Sequence, residues 1–598
     1  MAILSQMVKA LAHEPFYETG TWCDESLGVY VGWAVRKDSF SEGMPVLNET
    51  GDTVLVFSGE EYSRAQHIRR LEDHGHSLGR QRASYLVHAY EESPDFPLGL
   101  NGLFQGLVID KSRGMALLFN DRYGMHKLCY HESDEAFYFA AEAKAILRAR
   151  PDLRTVDPQS LADFIACSCI LEDRTLFKRI HVLPGGSAWT FRNGALESKR
   201  VYFRPCEWES QTLLDPESYY SALREAFSRN LPLYFAGEER TAMTLTGGMD
   251  TRLIMAWHKP SPGSLPCYTF GGPIRECHDV EIGRRIAELC KQPYQVLTIG
   301  EDFLSKFPHY AERSIYLTEG GVDVYRASDL YVSEKARAIA SAKVVGTYGS
   351  EIVRHAVMFK AKDPLDGLLN PEFSPLIGQA KTCYTKLRSE HPVTFAAFRQ
   401  SPWYHQGILA LECSQLSVRS PYLDNDFVQT VFREPRIDNV NGDIRQRLIK
   451  EGDPVLGSFR TDLGYGGKSG AASSLSRALL NFTFKAEYAY DYGMPQWLSR
   501  TDHLFSPLHL ERLFLGRHKP SHFRIWYKGP LSNYVREMLL DERTLSRPFL
   551  ERKMVEAIVN GHTKEGLNYT SLIHKLLSVE LLHRVFLDER PAYSESPN

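Results

Sequence analysis

Short apolar runs broken by turn residues fill the first third of the chain. GDTVLVFSG (Gly51–Gly59), FQGLVIDKSRGMALLFND (Phe104–Asp121) and EAFYFAAE (Glu135–Glu142) have the length of strands, and DKSRG between two apolar runs predicts a hairpin. Short helical stretches intervene: SYLVHAYEE (Ser84–Glu92), then VDPQSLADFIA (Val156–Ala166), where Pro158 stands near a helix start. The pattern changes after FRPCEWESQTLLDPES (Phe203–Ser218), which reads as a linker. Beyond it, strands alternate with helices. TAMTL (Thr241–Leu245) leads into a helix, PCYTF (Pro266–Phe270) precedes HDVEIGRRIAELC (His278–Cys290), YQVLTI (Tyr294–Ile299) precedes more helix, and AKVVGTYG (Ala342–Gly349) closes the series. Such alternation predicts a parallel sheet with helices on both faces, whose ligands bind at the carboxyl ends of the strands. From about Pro371 the pattern is mostly helical, and no internal repeat interrupts it.

One of those strand ends carries chemistry. In TAMTLTGGMDTRLIMAW (Thr241–Trp257) two glycines meet an aspartate where the strand gives way to a helix. Glycines admit close approach of a ligand, and successive amide N–H groups at a helix start cradle anions. Asp250 suits a phosphate site only if a divalent cation lies between the two charges. The same residues also suit a tight turn in which Asp250 caps the helix.

Composition narrows the choice. With 598 residues, 43% hydrophobic and 24% charged, the chain has the makeup of a globular protein of two to four domains. A formal charge of -4 offers no general attraction to nucleic acid or an anionic membrane. The ten cysteines lack metal-ligand spacing and read as buried thiols of a reducing compartment. MAILSQMVKALAHEPF has no basic segment followed by an apolar core, and no apolar run approaches the ~20 residues of a membrane span. A cytoplasmic location is the expectation.

LTGGMDTR resembles the SGGxDS pyrophosphate loop of the asparagine synthetase family, and RSPYLDNDFV (Arg419–Val428) is similar to its R-x-P-F-L-D segment. VLVFSGEEYS, LNGLFQGLVID, NDRYGMHKLCY and FYFAAEAKAIL follow, in order, that family's glutamine amidotransferase domain. The resemblance implies two domains of mixed α/β and α+β class. Residues 1–205 would form an αββα sandwich of the Ntn-hydrolase type. Residues 215–598 would form a parallel sheet of the adenine-nucleotide α-hydrolase type with a helical extension. It implies ATP and Mg²⁺ as cofactors. Leu245, Thr246, Gly247, Gly248, Asp250, Thr251 and Gly349 would bind nucleotide, and Thr269, Phe270 and Gly271 would lie against the adenine. Asp250 and Glu351 would hold the metal. Tyr348 occupies a place where asparagine synthetases carry an acid, and so resembles the β-lactam synthetases, with Glu412 as its partner in an amine-deprotonating dyad. Lys468, in GYGGKSG (Gly464–Gly470), matches a family lysine carried on a closing loop.

The glutaminase parts are altered. Such a domain uses an N-terminal cysteine as nucleophile, and position 2 here is Ala2. HEPFYETG (His13–Gly20) already aligns past the family's opening strand, and Cys23, the first cysteine, reads as a core residue. At the position of the acid that binds the glutamine ammonium stands Arg82. The expectation is an ATP-dependent ligase that adenylates a small-molecule or peptide carboxylate for attack by ammonia or an amine, without glutaminase activity of its own. An intramolecular cyclase of the β-lactam synthetase or lasso type is the alternative, and a nucleotide-binding scaffold is the alternative of another class. A tRNA-modifying pyrophosphatase would share the loop and leave the first domain unexplained. Neither nucleic acid nor membrane is an expected partner, and a homodimer is allowed by the resemblance.

Overall fold

The computed structural model describes residues 1–588 apart from position 63 and the stretches 436–442, 462–463, 465–470, 495, 497–498 and 500–509. Lys468 lies outside the described residues. The first part of the chain opens with helix α1 (Ala2–Leu11) and a hairpin of β1 (Tyr17–Asp24) and β2 (Val29–Arg36). It continues through β3 (Val46–Leu47), β4 (Thr53–Glu61), α2 (Ala65–Asp73), α3 (Tyr85–Glu92), β5 (Gly102–Asp110), β6 (Met115–Asn120), β7 (Cys129–Glu132), β8 (Phe137–Ala140), β9 (His181–Val182), β10 (Ser187–Arg192) and β11 (Ala195–Val201). A six-stranded antiparallel sheet runs β11-β10-β6-β5-β4-β3, and a three-stranded sheet runs β8-β7-β9.

Period-two alternation explains the layering. On one face of the large sheet Leu55, Phe57, Phe104, Val108, Leu117 and Phe119 pack under α3, in a cluster with Leu86 and Val87. On the other face Val54, Leu107, Ile109 and Leu118 meet Val31 of the hairpin and Leu128 at the start of the small sheet. Helices α1 and Ala143–Ala149 cover the outer side of that second layer, with Ala10 and Ile146 in one cluster. The result is the expected αββα sandwich. Gly106 is needed within it, because a Cβ there would stand 2.5 Å from the Phe119 ring.

The second part is a parallel sheet of β12 (Thr241–Thr244), β13 (Cys267–Gly271), β14 (Tyr294–Thr298), β15 (Ala342–Val344) and β16 (Ser417–Arg419), in the order β14-β13-β12-β15-β16. The alternating series therefore does not close at AKVVGTYG. β16 adds an edge strand, and at three residues it is too short to show a period. Helices dominate beyond Pro371, and Thr570–Phe586 runs through the largest apolar cluster. None of the described helices is long and apolar enough to cross a membrane. All ten cysteines are free, and Cys23 is exposed on β1 rather than part of a core, since its strand has one face to solvent.

The segment read as a linker is not a loose tether. Phe203 and Trp208 are buried with ring centroids 4.5 Å apart, and both lie against Phe398, Trp208 edge-on. The firmest tie between the two parts is Arg419, on β16. Its guanidinium is 1% exposed and donates to both carboxylate oxygens of Glu60, on β4, and to Glu239 Oε1 at 3.0 Å. Arg82 pairs with the same Glu239. Burial alone would push the Glu60 carboxyl up; the Arg419 charge and hydrogen bonds, with the Tyr62 hydroxyl and the Arg82 charge, together outweigh it and hold the group below its ordinary range. Stability from this pairing is thus present above the unfolded carboxylate pKa of ~4.3 and is lost as pH falls through the lower folded value. Arg419→Ala leaves a buried carboxylate uncompensated and should cost ~3–5 kcal/mol in urea unfolding. Glu60 would keep only the Tyr62 hydroxyl and the Arg82 charge against burial, so the stability it contributes above ~4.3 should shrink and the acid-side slope flatten. A loss of only a few tenths of a kcal/mol, with the acid-side slope unchanged, would show that the pair carries no such weight.

Candidate active site

Two strand ends meet where the sheet order reverses. β12 and β15 are neighbours, and the loops after them carry TGGMD and TYGSE. Crevices of this kind, outside the carboxyl ends of parallel strands, are where ligands bind in open α/β sheets.

The glycine loop starts helix Met249–His258, whose N-cap is Gly248, and no side chain caps it. Asp250 is therefore not a capping residue. Its Oδ1 accepts from Arg445 Nη1 at 2.5 Å and its Oδ2 from Ser350 Oγ at 2.8 Å. Arg445 also reaches Ser350 Oγ at 2.9 Å and Asp443 at 2.8 Å. Burial raises the Asp250 carboxyl pKa above its ordinary value, against the lowering effects of Arg445 and Ser350, and the nearby charge of Glu351 adds to the rise. Gly349 is obligatory beside it, since a Cβ there would lie 2.6 Å from Asp250 Cγ.

The loop is held from several sides. Thr246 and Thr251 hydroxyls stand 3.4 Å apart, and Gly247 N–H donates to Asp279 Oδ1 at 2.8 Å. A carboxylate thus already sits against a loop amide, where an anion would be received. Arg252 donates to the carbonyls of Gly247, Phe459 and Arg460, which ties the loop to the segment after helix Pro454–Gly457. The Tyr422 hydroxyl donates to the Asp250 carbonyl at 2.7 Å.

Tyr348 takes φ 76°, a left-handed conformation that costs a residue with a Cβ about 1–3 kcal/mol. Its side chain is buried, and burial, followed by the charge of Glu412, pushes its hydroxyl pKa well above the ordinary value. The phenol therefore keeps its proton in this state. Glu412 is close enough to act on Tyr348, yet its carboxylate is paired with Lys343 Nζ at 2.8 Å. Sequence reasoning paired Glu412 with Tyr348 alone and missed Lys343. Glu351 stands 3.2 Å from His405 Nε2, without the alignment of a hydrogen bond, and the His405 ring meets Tyr348 edge-on at 5.3 Å.

Of the residues expected against an adenine, Thr269 donates its hydroxyl to the Leu245 carbonyl, and Phe270 packs on the large apolar cluster. Gly271 abuts Val296, and the next residue, Gly272, is covered by the Pro520 carbonyl. Leu245 is fully buried beneath the loop. Arg445, Ser350, Asp279, Lys343 and His405 are the residues that sequence reasoning missed. Asp279 and Lys343 lie inside HDVEIGRRIAELC and AKVVGTYG, where no local feature marks them, Ser350 directly follows the latter, and Arg445 and His405 lie far from the loops they meet.

The residues fit a divalent cation and a polyphosphate in kind. A buried carboxylate of raised pKa and a second acid, Glu351, close enough to act on its charge, lie beside a loop with two threonine hydroxyls, a hard oxygen donor set. A mostly apolar cavity of about 600 Å³ lies apart from this crevice. It is lined by α1, the hairpin and the inner strands, and reaches Glu60, Cys413 and Ser417.

Because Arg445 opposes the effect of burial on Asp250, Arg445→Met should lift that carboxyl further. Its protonated C=O stretch, isolated by subtracting the Asp250→Asn infrared spectrum, should persist to higher pH than in the wild type. An unmoved midpoint would mean that the guanidinium does not set the charge of Asp250.

Residues 1–203 match the family model described as a glutamine amidotransferase domain. The asparagine synthetase [glutamine-hydrolyzing] 1 of Bacillus subtilis (strain 168) is 22% identical over 298 residues, covering 48% of this chain and 45% of that protein. Asparagine synthetase [glutamine-hydrolyzing] 3 of the same organism is 28% identical over 229 residues, covering 37% and 36%. The asparagine synthetase of Asparagus officinalis is 24% identical over 223 residues, covering 37% and 32%. The chain thus spans less than half the length of these relatives. Among solved structures, the glutamine phosphoribosylpyrophosphate amidotransferase of B. subtilis complexed with ADP and GMP aligns at a TM-score of 0.21 and 12% identity, over 45% of this chain and 51% of that one. By sequence, the chain is a relative of the asparagine synthetase family.

Proposed function

We propose that the protein is an ATP-dependent ligase that forms an amide bond through an acyl adenylate. A carboxylate oxygen of the substrate attacks the α-phosphorus of ATP, and pyrophosphate leaves. Ammonia or an amine then attacks the acyl carbon, loses a proton, and displaces AMP. The observation that carries this reading is the meeting of the TGGMD loop and the Asp250–Glu351 pair at the ends of β12 and β15, in a relative of asparagine synthetases.

In this reading the amides and hydroxyls of Thr246–Thr251 hold the pyrophosphate, and Asp250 and Glu351 would hold Mg²⁺. The ion, when bound, neutralises phosphate charge and steadies the leaving group. Asp279 yields its place on Gly247 to a phosphate oxygen, and Arg445 is positioned to follow Asp250 or to move onto phosphate. Tyr348 and Glu412 stand at the acyl end, where they orient the attacking nitrogen; Lys343 pairs with the Glu412 carboxylate and fixes its position. This arrangement favours, as a second reading, attack by an amine within the activated molecule.

ATP–pyrophosphate exchange with a panel of carboxylates tests the proposal. Exchange should require a substrate acid, and Asp250→Asn should lower it by about a hundredfold or more while folding normally. Wild-type exchange in that variant would remove Asp250 from the site.

We further propose that the sandwich releases no ammonia from glutamine. Arg82, which stands at the position of the acid that binds the glutamine ammonium, is spent on Glu239. Incubation with glutamine should yield glutamate at the buffer rate. Release above that rate, lost in Cys23→Ala, would contradict this.

A further inference from the structure

On the outer side of the sandwich, away from the crevice, four metal-binding side chains converge. Glu49 lies in the turn before β4, His76 follows α2, and His88 and Glu91 stand one turn apart on α3. One ligand atom from each falls within 4.8 Å of the others. His88 Nδ1 is 2.9 Å from Glu91 Oε2 and 3.8 Å from Glu49 Oε2; His76 Nδ1 is 3.8 Å from Glu91 and 4.0 Å from Glu49. The two imidazoles overlap at 4.4 Å.

Packing alone gives no reason for this set. His88 is 1% exposed and aims its Nδ1 into a group of carboxylates. The surroundings are those that orient ligands. His76 turns its other nitrogen, Nε2, to Glu92 at 3.3 Å, which leaves Nδ1 for an ion. Glu49 accepts from the Ser77 N–H at 2.6 Å, and Glu91 Oε1 accepts from Asn48 Nδ2 at 2.6 Å. Ligating histidines that donate their second nitrogen to a carboxylate, and ligating carboxylates that are themselves hydrogen-bonded, are regular features of metal sites.

We propose that Glu49, His76, His88 and Glu91 bind a divalent transition-metal ion of the Zn²⁺ type. Two imidazoles and two carboxylates suit Zn²⁺ better than Mg²⁺, which prefers six oxygens. A tetrahedral ion with ligands at about 2.1 Å needs ligand atoms about 3.4 Å apart, within reach of the separations here. Four protein ligands leave no open position, so the ion is structural. It would pin α3 and the end of α2 to the turn entering β4, the strand that carries Glu60. The proposal stands independently of any ligase activity.

The test uses the full-length protein without a histidine tag, stripped with a chelator. Titration with Zn²⁺ should show, by calorimetry, one site more than in the His76→Gln variant, whose changed side chain is half-buried and leaves the core intact. Co²⁺ in place of Zn²⁺ should give the visible absorption of a tetrahedral ion, lost in His76→Gln and in Glu91→Gln. Zn²⁺ should raise the unfolding temperature of the wild type alone. Absence of Zn²⁺ binding at micromolar concentrations would overturn the proposal. So would equal binding in wild type and His76→Gln, which would assign the metal to thiols such as Cys23 and Cys206.

Discussion

A guanidinium cannot shed its charge, so burying one commits the surrounding structure to carboxylates. Arg419 makes that commitment across two folding units. Its partner Glu60 comes from the sandwich and Glu239 from the approach to the parallel sheet. The residues that follow extend the same junction. Ser420 donates to the Thr347 carbonyl, Tyr422 to the Asp250 carbonyl, Asp424 accepts from Asn101 and Asn230, and Asp426 accepts from Arg64. One short segment thus holds the sandwich, the glycine loop and the backbone just before Tyr348 in register.

That junction gives the altered first domain a physical role. A cation at position 82 is foreign to a pocket that binds an ammonium group, yet it serves well as a partner for Glu239, beside Arg419. The same sandwich supplies Glu60 and Asn101 to the second sheet's edge. Through these contacts the domain steadies the strand ends of the candidate site.

Much of the scaffold was legible because burial imposes a period. Alternation in Val54–Phe57 and Leu107–Ile109 reports two covered faces, and the strand–helix succession after Thr241 reports a parallel sheet. β16 escaped because three residues carry no period, and its pairing with β15 is a long-range fact. The exposure of Cys23 could not be read from residue type, since it depends on which side of β1 faces water. Asp250 was legible from its glycines, whereas Arg445 was not. Their pairing spans 195 residues, and the local sequence around Arg445 has no feature to mark it. Tyr348 is marked by its place in a motif, whereas its left-handed backbone and its position beside the Lys343–Glu412 pair arise only in the folded chain.

The account turns on Asp250 as the point where an ion and a triphosphate meet. A crystal structure grown with Mg²⁺ and a non-hydrolysable ATP analogue tests it most directly. The phosphates should lie over Thr246–Thr251, with the metal on Asp250 and Asp279 displaced from Gly247. A nucleotide bound elsewhere, with the Asp250–Arg445 and Asp279–Gly247 contacts intact, would contradict it.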